Sequence, residues 1–184
     1  MNPYDYSSYL HSIWQDAVQR YQNGHQQLTS FFSIETIAEL AAIGLKPIEV
    51  YDFVEDFVKT GEPDFSTFLL VCEARRDYFL HVQKGVPSPN VIAMASLPAK
   101  DEAIDEIVWL PRILTKAMAK LRGEMEPDLM YGCSGDRNFL KESQIHPAEF
   151  LRAVWAWSDN PTKIVNWVKQ RRSGQIVSAE PFKS

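Results

Sequence analysis

Leu129-Met130-Tyr131-Gly132-Cys133-Ser134-Gly135-Asp136-Arg137-Asn138-Phe139-Leu140, followed shortly by Ile145-His146-Pro147-Ala148-Glu149-Phe150-Leu151, decides what kind of fold this chain makes. Each piece reads as a glycine- or proline-marked approach to a helix. Asp136 stands where a carboxylate accepts the unpaired N–H groups of a first turn. Pro147 takes a first helical position, where its missing N–H costs nothing. The spacing predicts helices over about 136–142 and 147–157.

Outward from there the same grammar repeats. Tyr6, Leu10, Ile13, Trp14, Ala17, Val18 and Tyr21 recur at helical spacing, which predicts a helix over about 5–23 with one apolar stripe. Ser33 and Gly44 bracket a helix over 34–43. Pro47 opens another, ended by Gly61. Asp64 caps a helix over about 65–84 that is apolar nearly all round, from Phe65 and Phe68 to Leu80 and Val82; a central position in the fold follows. Leu110-Pro111 opens a helix to Leu121, and Asp159-Asn160 precedes one over 161–171. Between the apolar helix and Leu110, 85–100 carries three prolines and reads as a loop. No alternating run exceeds a few residues, with Val91–Met94 and Ile176–Val177 the weak strand candidates. The class is all-α, a compact multi-helix domain around the apolar helix at about 65–84.

Leu45-Lys46-Pro47-Ile48-Glu49-Val50 is echoed by Ile145-His146-Pro147-Ala148-Glu149-Phe150 at an offset of 100 (147 − 47). Leu40 and Leu140 match in that register, and so do Val54 and Val154. A duplication of a helix pair is one explanation. Generic helix-start signals are the competing explanation.

At 184 residues, one domain over 1–172 with a flexible tail over 173–184 is expected. The hydrophobic fraction of 45% and charged fraction of 23% are those of a globular protein. A net charge of −5 opposes nucleic-acid binding, and the basic runs 116–122 and 169–172 fall in last helical turns, where they complement the helix dipole. Phe68–Cys72, the longest strongly apolar run, is too short to cross a bilayer. Two cysteines make no disulfide framework, and the first residues carry no secretory signal. A reduced cytoplasmic protein is expected, without metal or cofactor: no phosphate loop, nucleophile elbow or His-Glu-x-x-His occurs. Cys72, His81, Cys133 and His146 lack paired ligand spacing.

Cys133, between Gly132 and Gly135, precedes a helix whose N–H groups favour a thiolate. Asp136 and His146 are candidate assistants, so Cys133, Asp136 and His146 form the catalytic candidates. Four arginines sit where local rules disfavour a cation: Arg75 and Arg76 in the apolar helix, Arg112 after a helix-opening proline, and Arg137 in a first turn against the dipole. With Tyr131 and Cys133 they compose the candidate ligand site, since guanidinium forks grip carboxylates and phosphates. A small anionic ligand or a partner's carboxylate is the leading expectation. An enzyme or redox sensor using the Cys133 thiolate is the alternative. A homodimeric scaffold presenting Trp155, Trp157 and Trp167 is a third.

Trp109-Leu110-Pro111-Arg112, Arg75–Leu80 and Tyr131–Leu140 together resemble a bacterial family catalogued as a domain of unknown function. Its members carry a Leu-Pro-Arg segment opening a Lys/Ala-rich helix, a Tyr-Gly-Cys-x-x-Asp-Arg-x-Phe segment and a Pro-x-x-Phe-Leu helix, the last matched here by Pro147–Leu151. The resemblance covers most of 4–168 and is tightest over 109–154. It implies a small helical cytoplasmic protein and assigns no catalytic residue.

Overall fold

A computed structural model describes residues 3–174 of the chain. The tail expected at 173–184 and the strand candidate Ile176–Val177 therefore lie outside the described residues, apart from Ser173 and Gly174. The fold is all-α, with eight α-helices and one two-stranded ribbon among the described residues. The helices gather into two compact units, Met1–Ser88 and Pro89–Ser184.

The first unit holds α1 (Tyr6–Gln22), α2 (Ile34–Ala42), α3 (Pro47–Thr60) and α4 (Phe65–His81). The apolar stripe of α1 is buried at Tyr6, Leu10, Ile13, Trp14, Ala17 and Tyr21, and packs on α3 and α4. Ser33 caps α2, its Oγ accepting from Thr36 N at 3.2 Å. Gly44 then turns the chain in the left-handed region, φ 77°. A Cβ there would lie 2.5 Å from the Phe79 ring, so glycine is required twice over. Asp64 caps α4 by accepting from Thr67 N at 2.9 Å. The buried face of α4 is Phe68, Val71, Cys72, Ala74, Arg75, Tyr78 and Phe79. Leu80 and Val82 are exposed, so the helix, although apolar nearly all round in sequence, buries one broad face. Trp14 and Phe68, with ring centroids 4.9 Å apart, anchor an aromatic cluster at this core.

The second unit begins with irregular chain and a short ribbon, β1 (Ala103–Ile104) paired antiparallel with β2 (Ile107–Val108). Asp105 and Glu106 both adopt positive φ, 49° and 67°, the tight hairpin turn that matches strand twist. Two residues per strand are too few for alternation to register in sequence. Val91–Met94 contributes only an isolated bridge, Ile92 to Met125. Then come α5 (Leu110–Arg122), α6 (Ser134–Glu142), α7 (Pro147–Ala156) and α8 (Pro161–Arg172). Helix α5 packs on α7, and α7 on α8.

Each unit repeats one helical plan. Helices α2 and α6 each have nine residues and begin 100 positions apart (134 − 34); α3 and α7 keep that register (147 − 47). The buried positions agree across it: Leu10 with Leu110, Ile13 with Ile113, Ala17 with Ala117, Phe31 with Tyr131, Leu40 with Leu140 and Val54 with Val154. The main pairing is also shared, α1 on α3 and α5 on α7. Equivalent turns follow α2 and α6: Leu45 N donates to Leu40 O and Ile145 N to Leu140 O, both at 2.9 Å. Glu49 and Glu149 each accept from the backbone N–H three residues back, closing the same box. Since α7 has ten residues against fourteen in α3, the fourth helices fall in a register shorter by one turn.

Candidate functional site

The site residues of the second unit gather around one carboxylate. Helix α5 carries Lys116 on its inward face with Ile113, Ala117 and Lys120, all buried, because those positions follow i, i+3, i+4, i+7. Tyr131-Gly132-Cys133 then leads into α6, with Cys133 in the extended conformation of an N-cap residue. Gly132 turns at φ 87°, which glycine adopts without strain.

Asp136, in the first turn of α6, is fully buried. Its Oδ1 accepts from Trp109 Nε1 at 3.0 Å. Its Oδ2 accepts from Gly132 N at 3.0 Å and is paired with the Lys116 ammonium. Three donors on one carboxylate satisfy a charge that would otherwise be costly to bury. Lys116, only 3% exposed, also reaches Cys133, with Nζ 3.2 Å from Sγ. Cys133 is half-buried as a residue, and its sulfur borders the buried cation.

Trp109 is held in the left-handed region, φ 73°, a conformation uncommon for a bulky residue. It aims the indole at Asp136 and packs it onto α6. A Cβ on Gly135 would lie 2.5 Å from the Trp109 ring, so Gly135 admits the indole.

The arginines have separate engagements. Arg137 turns its guanidinium back from the first turn, Nη1 donating to Gly132 O at 2.8 Å. Arg112 donates through Nη1 to Pro98 O at 2.7 Å, with its guanidinium carbon 5.9 Å from the Trp109 ring centroid. Arg75 and Arg76 belong to the first unit. Arg75 Nη1 donates to Gln83 Oε1 at 2.7 Å; Arg76 lies over the Tyr6 ring at 4.6 Å and pairs with Asp77 at 3.8 Å.

Tyr131 is buried, its hydroxyl donating to Pro147 O at 2.8 Å. Burial, reinforced by the negative charge of Asp136, raises its pKa well above the ordinary phenol value. His146 is exposed and caps α7, with Nδ1 accepting from Ala148 N at 3.2 Å. Cys72 lies on the buried face of α4, 1% exposed. Trp167, expected at an exposed face, is instead 3% exposed and packed on Trp157, with centroids 5.7 Å apart. Its place at i, i+3 from Ile164 on the buried side of α8 explains the difference.

Lys116 and Trp109 are the members that sequence reasoning missed. Lys116 belongs to a basic run assigned to the dipole of a last turn, yet it and Lys120 are buried. The signal was its spacing from Ile113 and Ala117. For Trp109, one residue before the helix, no local signal exists. The second unit also has a cleft of about 540 Å³ beside α5, with Leu114, Met118, Val154 and Ile164 in its lining; none of the predicted site residues line it. Among the described residues no group of three His, Cys, Asp or Glu side chains is placed to hold a metal ion, and no helix is long and apolar enough to cross a membrane.

The first unit lacks the cluster at the equivalent positions. Asp16, Ser33 and Thr36 stand where Lys116, Cys133 and Asp136 stand in the second, and none of the three is buried. The shared helical plan thus folds with an ordinary Ser cap at the position of Cys133. No family model, curated protein or solved structure matches the chain.

Proposed function

We propose that the second unit works through Cys133, as a thiol site for a small electrophilic or oxidising ligand. The observation that carries this reading is the contact of a buried ammonium with the sulfur of a half-buried cysteine, Lys116 Nζ to Cys133 Sγ at 3.2 Å. A cation beside a cysteine and a helix N-terminus behind it are what thiol chemistry needs. Asp136 and Trp109 are positioning residues in this arrangement. Because the first unit builds the same plan without the cluster at its equivalent positions, the fold alone does not call for it, and the desolvation of a buried ion pair can offset what the pair contributes to stability.

Alkylation of the native protein tests the reading. Iodoacetamide is expected to modify Cys133 in the folded state and Cys72, at 1% exposure, only after unfolding. Equal and slow modification of both would remove the thiol function.

One observation favours a second reading, the binding of a small carboxylate or phosphate. Arg112 is half-buried and donates to Pro98 O through Nη1 alone, so Nε and Nη2 remain for an anion. Arg112 and Lys116 also lie one turn apart on α5, on neighbouring positions of one face. Titration with inorganic phosphate and with acetate, followed by Trp fluorescence, is expected to saturate in the wild type and to weaken in Arg112→Met. An unchanged isotherm in the variant would exclude this arginine.

A further inference from the structure

We propose that Cys133 and Lys116 are a modification site: on exposure to a peroxide they join through a reversible covalent sulfur–nitrogen bond. The proposal rests on the thiol reading above, since it needs an accessible Cys133 sulfur.

Three features of the cluster lead to it. The amine nitrogen is already 3.2 Å from the sulfur. It is held there, because Lys116 is 3% exposed and anchored to Asp136, which Trp109 Nε1 and Gly132 N fix in turn. A long, flexible side chain that would normally wander in solvent is thereby kept against its neighbour, and such pre-organisation raises effective concentration. Cys133 is half-buried rather than enclosed, which leaves the residue open to an oxidant as small as a peroxide, whereas the buried amine is better placed than any bulky external thiol to capture the oxidised product. No disulfide joins Cys133 to Cys72, so a resolving cysteine is not supplied by the described structure.

The chemistry balances with hydrogen peroxide as the named oxidant. Sulfur attacks one peroxide oxygen, the O–O bond breaks, an S–O bond forms, and the thiol becomes a sulfenic acid with release of one water. Asp136 takes a proton from the Lys116 ammonium, which frees the nitrogen lone pair. Nζ then attacks Sγ; the S–O bond breaks and the departing hydroxide leaves as a second water with another nitrogen-bound proton. The product is a sulfenamide. The protein has lost two hydrogen atoms overall, and the nitrogen its charge. An external thiol reverses the link by attacking sulfur, with the amine leaving and regaining its proton from Asp136; a second thiol then releases Cys133 from the mixed disulfide.

The step removes the cation from its pair with Asp136, at the point where α5, the Trp109 turn and α6 meet. Oxidation is thus read directly as a change in the charge that organises the start of α6.

The experiment is peptide mapping of the full chain after treatment with hydrogen peroxide, without reductant. The expected product is a peptide pair joined through Lys116 and Cys133, lighter by two hydrogens than its two parts. Tryptic cleavage after Lys116 should be missing from it, and dithiothreitol should remove it. Cys133→Ser and Lys116→Arg should not form it; the arginine keeps a cation for Asp136 but is a poor nucleophile. The wild-type map decides by itself, so a variant that fails to fold changes nothing. If Cys133 is recovered as sulfenic or sulfinic acid with Lys116 unlinked, the cross-link is wrong and the thiol reading stands. If Cys133 is neither oxidised nor alkylated, both fall.

Discussion

Asp136 shows at the scale of one residue how a buried charge is accommodated and what it commits the structure to. Its carboxylate is the common acceptor for Trp109, Gly132 and Lys116. Asp136→Ala is therefore expected to lower the unfolding free energy by about 3–5 kcal/mol, because it strands an ammonium that has little access to water. Urea denaturation followed by Trp fluorescence gives the number. The double variant Asp136→Leu/Lys116→Met should recover much of the loss, since matched apolar side chains replace the pair. A loss below about 1 kcal/mol in the single variant would mean the network is incidental. Cys133→Ser, by contrast, should stay within about 1 kcal/mol of the parent, as serine is a good N-cap residue. Of these residues, Cys133, Asp136 and Arg137 stand out in sequence by their glycine-flanked position before a helix. Lys116 does not, because a lysine in a basic run looks the same whether its ammonium is solvated or buried.

At the scale of the element, the turns after α2 and α6 make an internal comparison. The chain takes the left-handed region at Gly44, φ 77°, and again at Gln144, φ 53°. A side chain with a Cβ is disfavoured there by about 1 kcal/mol. Gln144→Gly is expected to be stabilising by up to about 1 kcal/mol, offset in part by the greater freedom of glycine in the unfolded chain. Gly44→Ala should be destabilising by about 1–3 kcal/mol, since it adds contact with the Phe79 ring to the backbone strain. Opposite signs in chemical unfolding support the shared turn geometry, and equal signs would count against it. Helix limits were legible to within a residue or two, because Ser33, Pro47, Asp64 and Pro161 mark their own starts. The later limit expected for α4, near residue 84, moves back to His81, where Gln83 N and Gly85 N bond back to α4 carbonyls and close the helix.

For the whole molecule, each unit buries a tyrosine with a strongly raised pKa, Tyr6 in the first and Tyr131 in the second. Burial is the main cause in both; Cys72 adds to it at Tyr6 and Asp136 at Tyr131. The folded chain keeps these protons to higher pH than the unfolded chain, whose tyrosines ionise near pH ~10. Their contribution is complete below that pH and is lost as pH rises toward the folded values. Stability should therefore fall above pH ~10 by up to about 1.4 kcal/mol per pH unit for each such tyrosine. Urea midpoints at about pH 9 and about pH 11 test this. Phe in place of Tyr131 should flatten the fall, and an unchanged slope would show that this phenol is ionised without unfolding.

Sequence alone determined the class and the helices. Periodicity of Leu10, Ile13, Ala17 and Tyr21, and the capping residues at each start, are local in the chain and need no knowledge of neighbours. The offset of 100 was visible for the same reason, in Pro47 with Pro147 and Glu49 with Glu149. The tertiary structure decided what lies beside what. Trp109 and Asp136 are far apart in the chain, and so are Lys116 and Cys133; each pair meets only because the loop after α5 returns Gly132 and α6 to the inward face of α5. Hydrophobic patterning specifies which faces are buried, through transfer of apolar area from water, and does so without regard to partner. A hydrogen bond or an ion pair is specific to two atoms at one distance and angle, and that geometry exists only once the helices are packed.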